Sequence, residues 1–262
     1  METINPQDAS KTIEEKGWTV IPAVYTEELI EKVKKDYLLN KNVFLNIQKK
    51  KDMKSRSHDV GFHTITVCKS HLDLFEPNKT SETIGQYLGG PYILNTMSIS
   101  ELVPNTDIYT LSIHRDIRSF QGASKLWLLS VIMLTDSTVE NGATWILEKD
   151  KNTFNKPDED YFFKNAVRLE AKKGDVVLFD GNLWHSSGEN NSDESRIIMT
   201  PVYSRPFIKQ QFDYPRAFGP DFDKSCSEHM SQLLGYSART PKSLNEFYQK
   251  DAEDRFYKPN QG

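Results

Sequence analysis

The chain has only two cysteines in 262 residues, Cys68 and Cys226, far apart and in no metal-binding or redox spacing. A disulfide framework is thereby excluded, and reduced thiols in an intracellular protein are expected. No stretch approaches the roughly 20 apolar residues of a membrane span, and the N-terminus lacks a charged region followed by an apolar one, so the expected setting is cytoplasmic, without a membrane. Basic charge is not in excess either. The 33 Lys and Arg against 37 Asp and Glu give a net charge of -4, which leaves no basic stripe for nucleic acid. Internal repeats and domain-scale linkers are also missing. All-β barrels of about 200 to 250 residues often form a single domain, and one domain over 1–262 is expected here.

What is present begins with helices. Pro6 to Lys16 reads as a helix, Trp18 to Ile21 as a short strand ended by Pro22, and Thr26 as the N-cap of a second helix. Glu27 and Glu28 suit the first turn of that helix, and Leu29, Ile30, Val33, Tyr37 and Leu38 form its apolar face. From Asn46 to His63 the pattern dissolves into Lys49, Lys50, Lys51, Lys54 and Arg56, the composition of a mobile surface segment that is either solvated or a lid. A helix over Ser81 to Leu88, stopped by Gly89-Gly90, completes a helical N-terminal part, 1–90.

After Pro91 short strands follow one another, at Tyr92 to Val103, Ile108 to Asp116, Lys125 to Leu134, Thr144 to Leu147, Val167 to Ala171, Asp175 to Phe179 and Arg196 to Tyr203. Turn signals such as Pro104-Asn105 and Asn141-Gly142 separate them. This regular spacing indicates a sandwich or barrel over 91–204, so the fold class is α+β with a mainly β core. The remainder, 205–262, reads as a C-terminal extension with helices near Lys224 to Leu234 and Leu244 to Lys250.

The chemistry concentrates in Leu111-Ser112-Ile113-His114-Arg115-Asp116. On a strand, side chains two apart share a face, so His114 and Asp116 converge while Arg115 points away. His185, just after the apolar strand that follows Gly174, supplies the second imidazole. Two His and one carboxylate with open positions are the facial triad of non-haem Fe(II) oxygenases. Arg196 lies eleven residues on (196 − 185 = 11), enough for the chain to turn through Gly188 to Glu194 and return on a neighbouring strand. Its guanidinium is suited to clasping a carboxylate through two parallel hydrogen bonds, and Ser187 offers a further hydroxyl donor. His58, His63, His71 and His229 have no partner spacing and read as surface or hydrogen-bonded histidines.

At these residues the sequence resembles the phytanoyl-CoA dioxygenase family of Fe(II)- and 2-oxoglutarate-dependent oxygenases. The likeness rests on His114-Arg115-Asp116, the run from Gly174 to His185, Ser187 and Arg196. It extends to Glu15 to Pro22, to Glu140-Asn141-Gly142-Ala143-Thr144-Trp145 and to Leu234-Gly235-Tyr236-Ser237. The resemblance implies a double-stranded β-helix, the cupin-like jelly roll, with helices packed outside. It implies Fe(II) on His114, Asp116 and His185, 2-oxoglutarate held by Arg196 and Ser187 with Trp127 beside it, and O2 as oxidant. The implied outcome is hydroxylation of an unactivated C-H bond of a small molecule with release of succinate and CO2. The Asp116 carboxylate separates the chain from halogenating relatives, which lack it. The chain departs from the family where Glu148-Lys149-Asp150-Lys151 replaces the usual Pro-Gly-Ser-His.

For the substrate the sequence offers Arg118, Phe120 and Lys125, after the first ligands, and Arg205 with the Gln210 to Arg216 stretch, after the last strand. They suit a small or medium polar molecule, with Arg118 or Arg205 meeting an anionic group. Two other readings stand beside this one: a jelly-roll metal-binding protein without oxygenase activity, and a cupin-like metalloenzyme that uses no 2-oxo acid. Intact His114, Asp116, His185 and Arg196 speak against the first.

Overall fold

The structure is a computed structural model that describes residues 5–53, 60–117, 122 and 124–248. Helix α1 (Pro6–Lys16) starts at Asn5, whose side chain accepts from the Gln7 N–H, and ends at Gly17 in the left-handed region. After β1 (Trp18–Ile21), the Thr26 hydroxyl caps α2 (Glu27–Lys50), which has Glu27 and Glu28 in its first turn and Lys49 and Lys50 in its last. The expected loss of order at Asn46 is corrected, because Phe44 and Gln48 continue the buried stripe of Ile30, Val33 and Tyr37. Gln48 also donates from Nε2 to the Val60 carbonyl at 2.7 Å, which ties the helix end to β2 (Val60–Phe62). Of the segment expected to be mobile, 54–59 lie outside the described residues. Helix α3 (Ser81–Leu88) stops at Gly89 as expected.

The next elements are β3 (Ile93–Leu102), β4 (Trp127–Met133), β5 (Thr144–Ile146), α4 (Glu159–Asn165), β6 (Val167–Leu169), β7 (Val176–Asp180), β8 (His185–Ser186) and β9 (Arg196–Ser204). They build a six-stranded antiparallel sheet in the order β1-β7-β4-β9-β3-β2 and a three-stranded sheet in the order β6-β5-β8. Side-chain alternation explains how the layers stack. On β4, Leu128 and Ile132 pack with Ile13, Ile30, Leu178 and Met199 under the helices. Their neighbours Leu129, Val131 and Met133 pack with Phe179, Ile198 and Val202, and with Ile146 and Leu169 of the small sheet. Helices therefore cover one face of the large sheet and the small sheet covers the other, the layout expected of a jelly roll.

Several expected elements are redrawn. Ile108 to Asp116 is not a strand: a 3-10 turn occupies Tyr109–Leu111, and among the described residues only His114 pairs, in an isolated bridge to His185. The partner strand β8 is only two residues long, so it has little to offer a longer pairing. Helix α4 was not anticipated, although Asp158 caps it through the Tyr161 N–H and Phe162 supplies its buried contact. The C-terminal part holds α5 (Tyr214–Phe218), α6 (Glu228–Leu233) and α7 (Leu244–Phe247), so both helices expected there are shorter than the sequence indicated. The divergent Glu148 segment docks on α1 and β1: the Glu148 carboxylate accepts from Trp18 Nε1 at 3.2 Å and pairs with Lys16 at 3.3 Å.

Candidate active site

The centre of the site is the bridge between His114 and His185. Each backbone N–H donates to the other's carbonyl at 2.9 Å, and the two rings stand 4.3 Å apart between centroids. Asp116, two residues along the chain, brings Oδ1 to 3.8 Å from His114 Nε2 and Oδ2 to 3.9 Å from His185 Nε2. One donor atom from each side chain lies within 4.8 Å of the others. These separations exceed hydrogen-bond length, so the three groups surround a gap rather than bond to one another.

The residues fit a metal in a second respect. His114 Nδ1 faces the Ser112 carbonyl at 2.7 Å and His185 Nδ1 faces the Leu183 carbonyl at 2.9 Å. A carbonyl only accepts, so each imidazole carries its proton on Nδ1 and turns the Nε2 lone pair toward the gap. Such outer hydrogen bonds orient ligating histidines and raise their basicity. Two imidazoles and one carboxylate suit a first-row divalent ion, iron(II) among them.

Around this gap lies a cavity of about 570 Å³. Apolar walls come from Leu129, Val131, Phe179, Ile198 and Val202, and hydroxyls from Thr96, Ser98, Ser100, Thr110 and Thr200. Trp127 and Ser187 also line it, and the Ser187 hydroxyl lies 3.0 Å from Thr110 Oγ1. Phe62 and Gln211 line it too; nothing in the sequence pattern marked Phe62, whereas Gln211 falls in the Gln210 to Arg216 stretch. The hydroxyls did leave a signal, since Thr96, Ser98 and Ser100 alternate with the buried Met97 and Ile99 on β3.

Arg196 opens β9 and shares its face with Ile198, Thr200 and Val202, so its side chain starts from the wall that lines the cavity. It is 2% exposed, and its guanidinium makes no hydrogen bond or ion pair with the described residues. Burial, with the nearby charge of Arg168, pushes its pKa down to about 10, so it remains a cation at neutral pH. A buried cation without a counter-ion is costly, and an incoming carboxylate would supply the missing partner. Close backbone packing brings this end of the cavity together. Gly188 donates to the Gly142 carbonyl at 3.2 Å, and a Cβ on Gly142, at φ +88°, would lie 2.5 Å from the Gly188 oxygen. That Cβ would also come within 2.8 Å of Leu102, the residue paired with Arg196.

Trp127 requires a correction. It sits opposite Ser204, eight residues along β9 from Arg196 (204 − 196 = 8). At about 3.3 Å per residue this is roughly 26 Å of strand. It therefore lines the end of the cavity remote from Arg196, not the place beside a carboxylate held there. Two of the proposed substrate contacts lie elsewhere as well. Lys125 donates to the Glu14 carboxylate on α1, with its ammonium 5.0 Å from the Tyr87 ring. Arg205 packs on Gly89 and Gly90, where a Cβ on Gly90 would meet its Nη1 at 2.8 Å. Arg118 and Phe120 lie outside the described residues. No Lys or Arg lines the cavity among the described residues.

The other histidines take structural places. His71 is fully buried, with Nδ1 2.7 Å from Thr64 Oγ1 and Nε2 3.2 Å from the Val33 carbonyl. His63 stacks on Phe212 at 4.2 Å and bonds the Tyr214 hydroxyl at 2.9 Å. Burial depresses both, to a pKa of about 4 in each case. His229 packs against the edge of Tyr92, and His58 lies outside the described residues.

Comparison with known proteins bears on the same region. An uncharacterized protein of Mycobacterium tuberculosis is 30% identical over 156 residues, 60% of this chain and 57% of the relative, so the match spans little more than half that protein's length. A dioxygenase of Aspergillus fumigatus, af480, is 27% identical over 253 residues, covering 90% of this chain and 78% of its own. Among solved structures, EctD from S. alaskensis, determined with 2-oxoglutarate and 5-hydroxyectoine, superposes with a TM-score of 0.64 at 15% identity over 78% of each chain. That likeness establishes a shared fold. The model of the family described as phytanoyl-CoA dioxygenase (PhyH) matches residues 13–198, from the middle of α1 into β9. Because that span holds both histidines, Asp116, Ser187 and Arg196 in a single continuous match, the chain belongs to the phytanoyl-CoA dioxygenase family.

Proposed function

We propose that this chain is an Fe(II)- and 2-oxoglutarate-dependent oxygenase that hydroxylates a C-H bond of a small molecule. The observation that carries the reading is the buried guanidinium of Arg196, without a partner among the described residues, on a strand face that lines the cavity holding two Nε2-directed imidazoles and a carboxylate. His114, Asp116 and His185 would hold the metal. Bound iron with 2-oxoglutarate and O2 would supply the oxidising power, with succinate and CO2 leaving. Arg196 and Ser187 would receive the distal carboxylate of the co-substrate. The apolar walls at Leu129, Val131, Phe179 and Ile198 exclude water from the region between.

The substrate enters this reading at the opposite end, where Phe62, Thr96, Trp127 and Gln211 line the cavity. The hydroxyls there and on β9 support a polar substrate. Support for an anionic one is lacking among the described residues, since Lys125 and Arg205 are engaged elsewhere. A single catalytic domain in a reducing cytoplasm fits the free thiols of Cys68 and Cys226.

The test is anaerobic addition of Fe(II) and 2-oxoglutarate. A weak visible charge-transfer band is expected in the wild type and not in His185→Ala, followed on aeration by succinate. Well-folded protein that gives neither band nor succinate would sink the proposal. Activity that survives Arg196→Ala would instead favour a cupin-like metalloenzyme without a 2-oxo acid.

A further inference from the structure

We infer that Arg115 is a positioning residue: stacked on Trp184 behind the site, it locks the segment bearing His114 and Asp116 onto the segment bearing His185. The inference rests on the metal reading proposed above. Its starting point is how the two ligand-bearing segments are joined. Segment 112–117 is not a regular strand; the reciprocal backbone hydrogen bonds of His114 and His185 tie it down, flanked by the Ser187 N–H donating to the Thr110 carbonyl at 2.7 Å and the Ile117 N–H to the Gly181 carbonyl at 3.4 Å. Asp116 is the most accessible member of the triad, with a side chain 29% accessible against 17% for His114, and no described residue donates a hydrogen bond to its carboxylate. The carboxylate is therefore only as well placed as the backbone that carries it.

That backbone is anchored from the other side. Side chains alternate on an extended chain, so while His114 and Asp116 face the cavity, Arg115 turns to the opposite face. Trp184 does the same beside His185. The two meet there, with the guanidinium carbon 4.3 Å from the centre of the indole, a cation–π contact in a dry setting. Arg115 is 5% exposed and Trp184 9%. Both donate to one acceptor, the Thr153 carbonyl: Trp184 through Nε1 at 2.9 Å, Arg115 through Nη2. Trp184 is held further by its backbone, since its N–H donates to Asn152 Oδ1 at 3.1 Å and its carbonyl accepts from Leu147 at 2.9 Å. A surface arginine between two ligands would carry none of these contacts.

The experiment is a Co(II) titration, followed by its visible spectrum, alongside the melting temperature of metal-free protein. Arg115→Gln should bind Co(II) about 10–100-fold more weakly, the usual loss for an outer-shell partner, while melting within a few degrees of the wild type. Arg115→Lys, which keeps a cation over the ring, should recover part of the affinity. The double variant Arg115→Gln/Trp184→Leu should bind no more weakly than the poorer of the two single variants, because both remove one contact. Phe162→Leu, in the same apolar cluster but outside the clamp, should lower the melting temperature and leave Co(II) affinity unchanged.

A folded Arg115→Gln within about threefold of wild-type affinity overturns the inference, since the usual outer-shell loss is larger. So does an equal loss in Phe162→Leu, which would make the role merely structural. If Arg115→Gln does not fold, Arg115→Met is judged by the same bound. Absence of Co(II) binding by the wild type would refute the metal reading itself. Binding that is lost in His185→Ala but intact in Arg115→Gln would refute only the clamp.

Discussion

Arg196→Met separates a binding role from a structural one, because the two predict opposite changes in stability. Arg196 is 2% exposed, and its guanidinium bonds to none of the described residues. A buried group left unsatisfied costs about 1–3 kcal/mol or more when charged. Met keeps much of the stem and removes the charge, so the variant should match or exceed the wild type. At about 2–4 °C per kcal/mol for chains near this size, the expected change is between zero and roughly 10 °C upward. The response to ligand should run the other way. At a hundredfold excess over Kd, 2-oxoglutarate should stabilise the Mn(II)-loaded wild type by about 2.7 kcal/mol, a rise of roughly 5–10 °C. The variant should show almost none. Thermal melts of both proteins, with and without 2-oxoglutarate, read all four states. An Arg196→Met that melts well below the wild type yet keeps its ligand-induced rise would refute the argument, since the arginine would then be a structural strut.

The two ends of the cavity are separable by kinetics. Ser187→Ala should raise the 2-oxoglutarate KM by about tenfold or more, the worth of one hydrogen bond to a charged group, whereas Trp127→Ala should leave that KM unchanged and alter only substrate-stimulated turnover; the reverse pattern in a succinate assay would invert the assigned orientation. Acid should weaken the fold through His71, whose folded pKa of about 4 lies below the unfolded 6.5. Its contribution is fully present above pH 6.5 and is lost as pH falls from 6.5 toward 4, and a displacement of that size is worth on the order of 3 kcal/mol. Urea midpoints at pH 7 and 4.5 should show a smaller difference in His71→Gln than in the wild type, with His63 and His229, both depressed by burial, contributing to what remains; equal differences would contradict the assignment.

The convergence of His114, Asp116 and His185 and the placing of Arg196 on a neighbouring strand were legible because their patterns are local. A His-x-Asp, a histidine after an apolar strand and an arginine eleven residues later need only the alternation of extended chain to be placed (196 − 185 = 11). Register is a different matter. That Trp127 faces Ser204 and not Arg196 follows from how β4 slides against β9, which no short window of sequence encodes. Lys125 read as a substrate contact because it follows His114 and Asp116 in the chain, yet its partner Glu14 lies 111 residues away. The stretch before His114 has strand-like residues without a strand, since its partner β8 is too short to propagate pairing. Helix α4 was the opposite case, a legible cap at Asp158 passed over in a segment of charged residues.

The order of strands in the large sheet sets a timetable for the nascent chain. Strands β1 and β2, the first two synthesised, occupy its two edges, and β1 pairs with β7 alone. Trp18 must wait for Phe179, 161 residues later (179 − 18 = 161). At about 5–20 residues per second on the ribosome, that delay is roughly 8–30 s. Until then Ile13, Ile30 and Val33 of α1 and α2 lack Val176 and Leu178 of β7, which belong to the same core cluster. Synthesis that stalls before β7 would therefore leave an amphipathic helical fragment and an unpaired edge, a natural client for a holdase chaperone. The strand made first can be seated only once the seventh has been made.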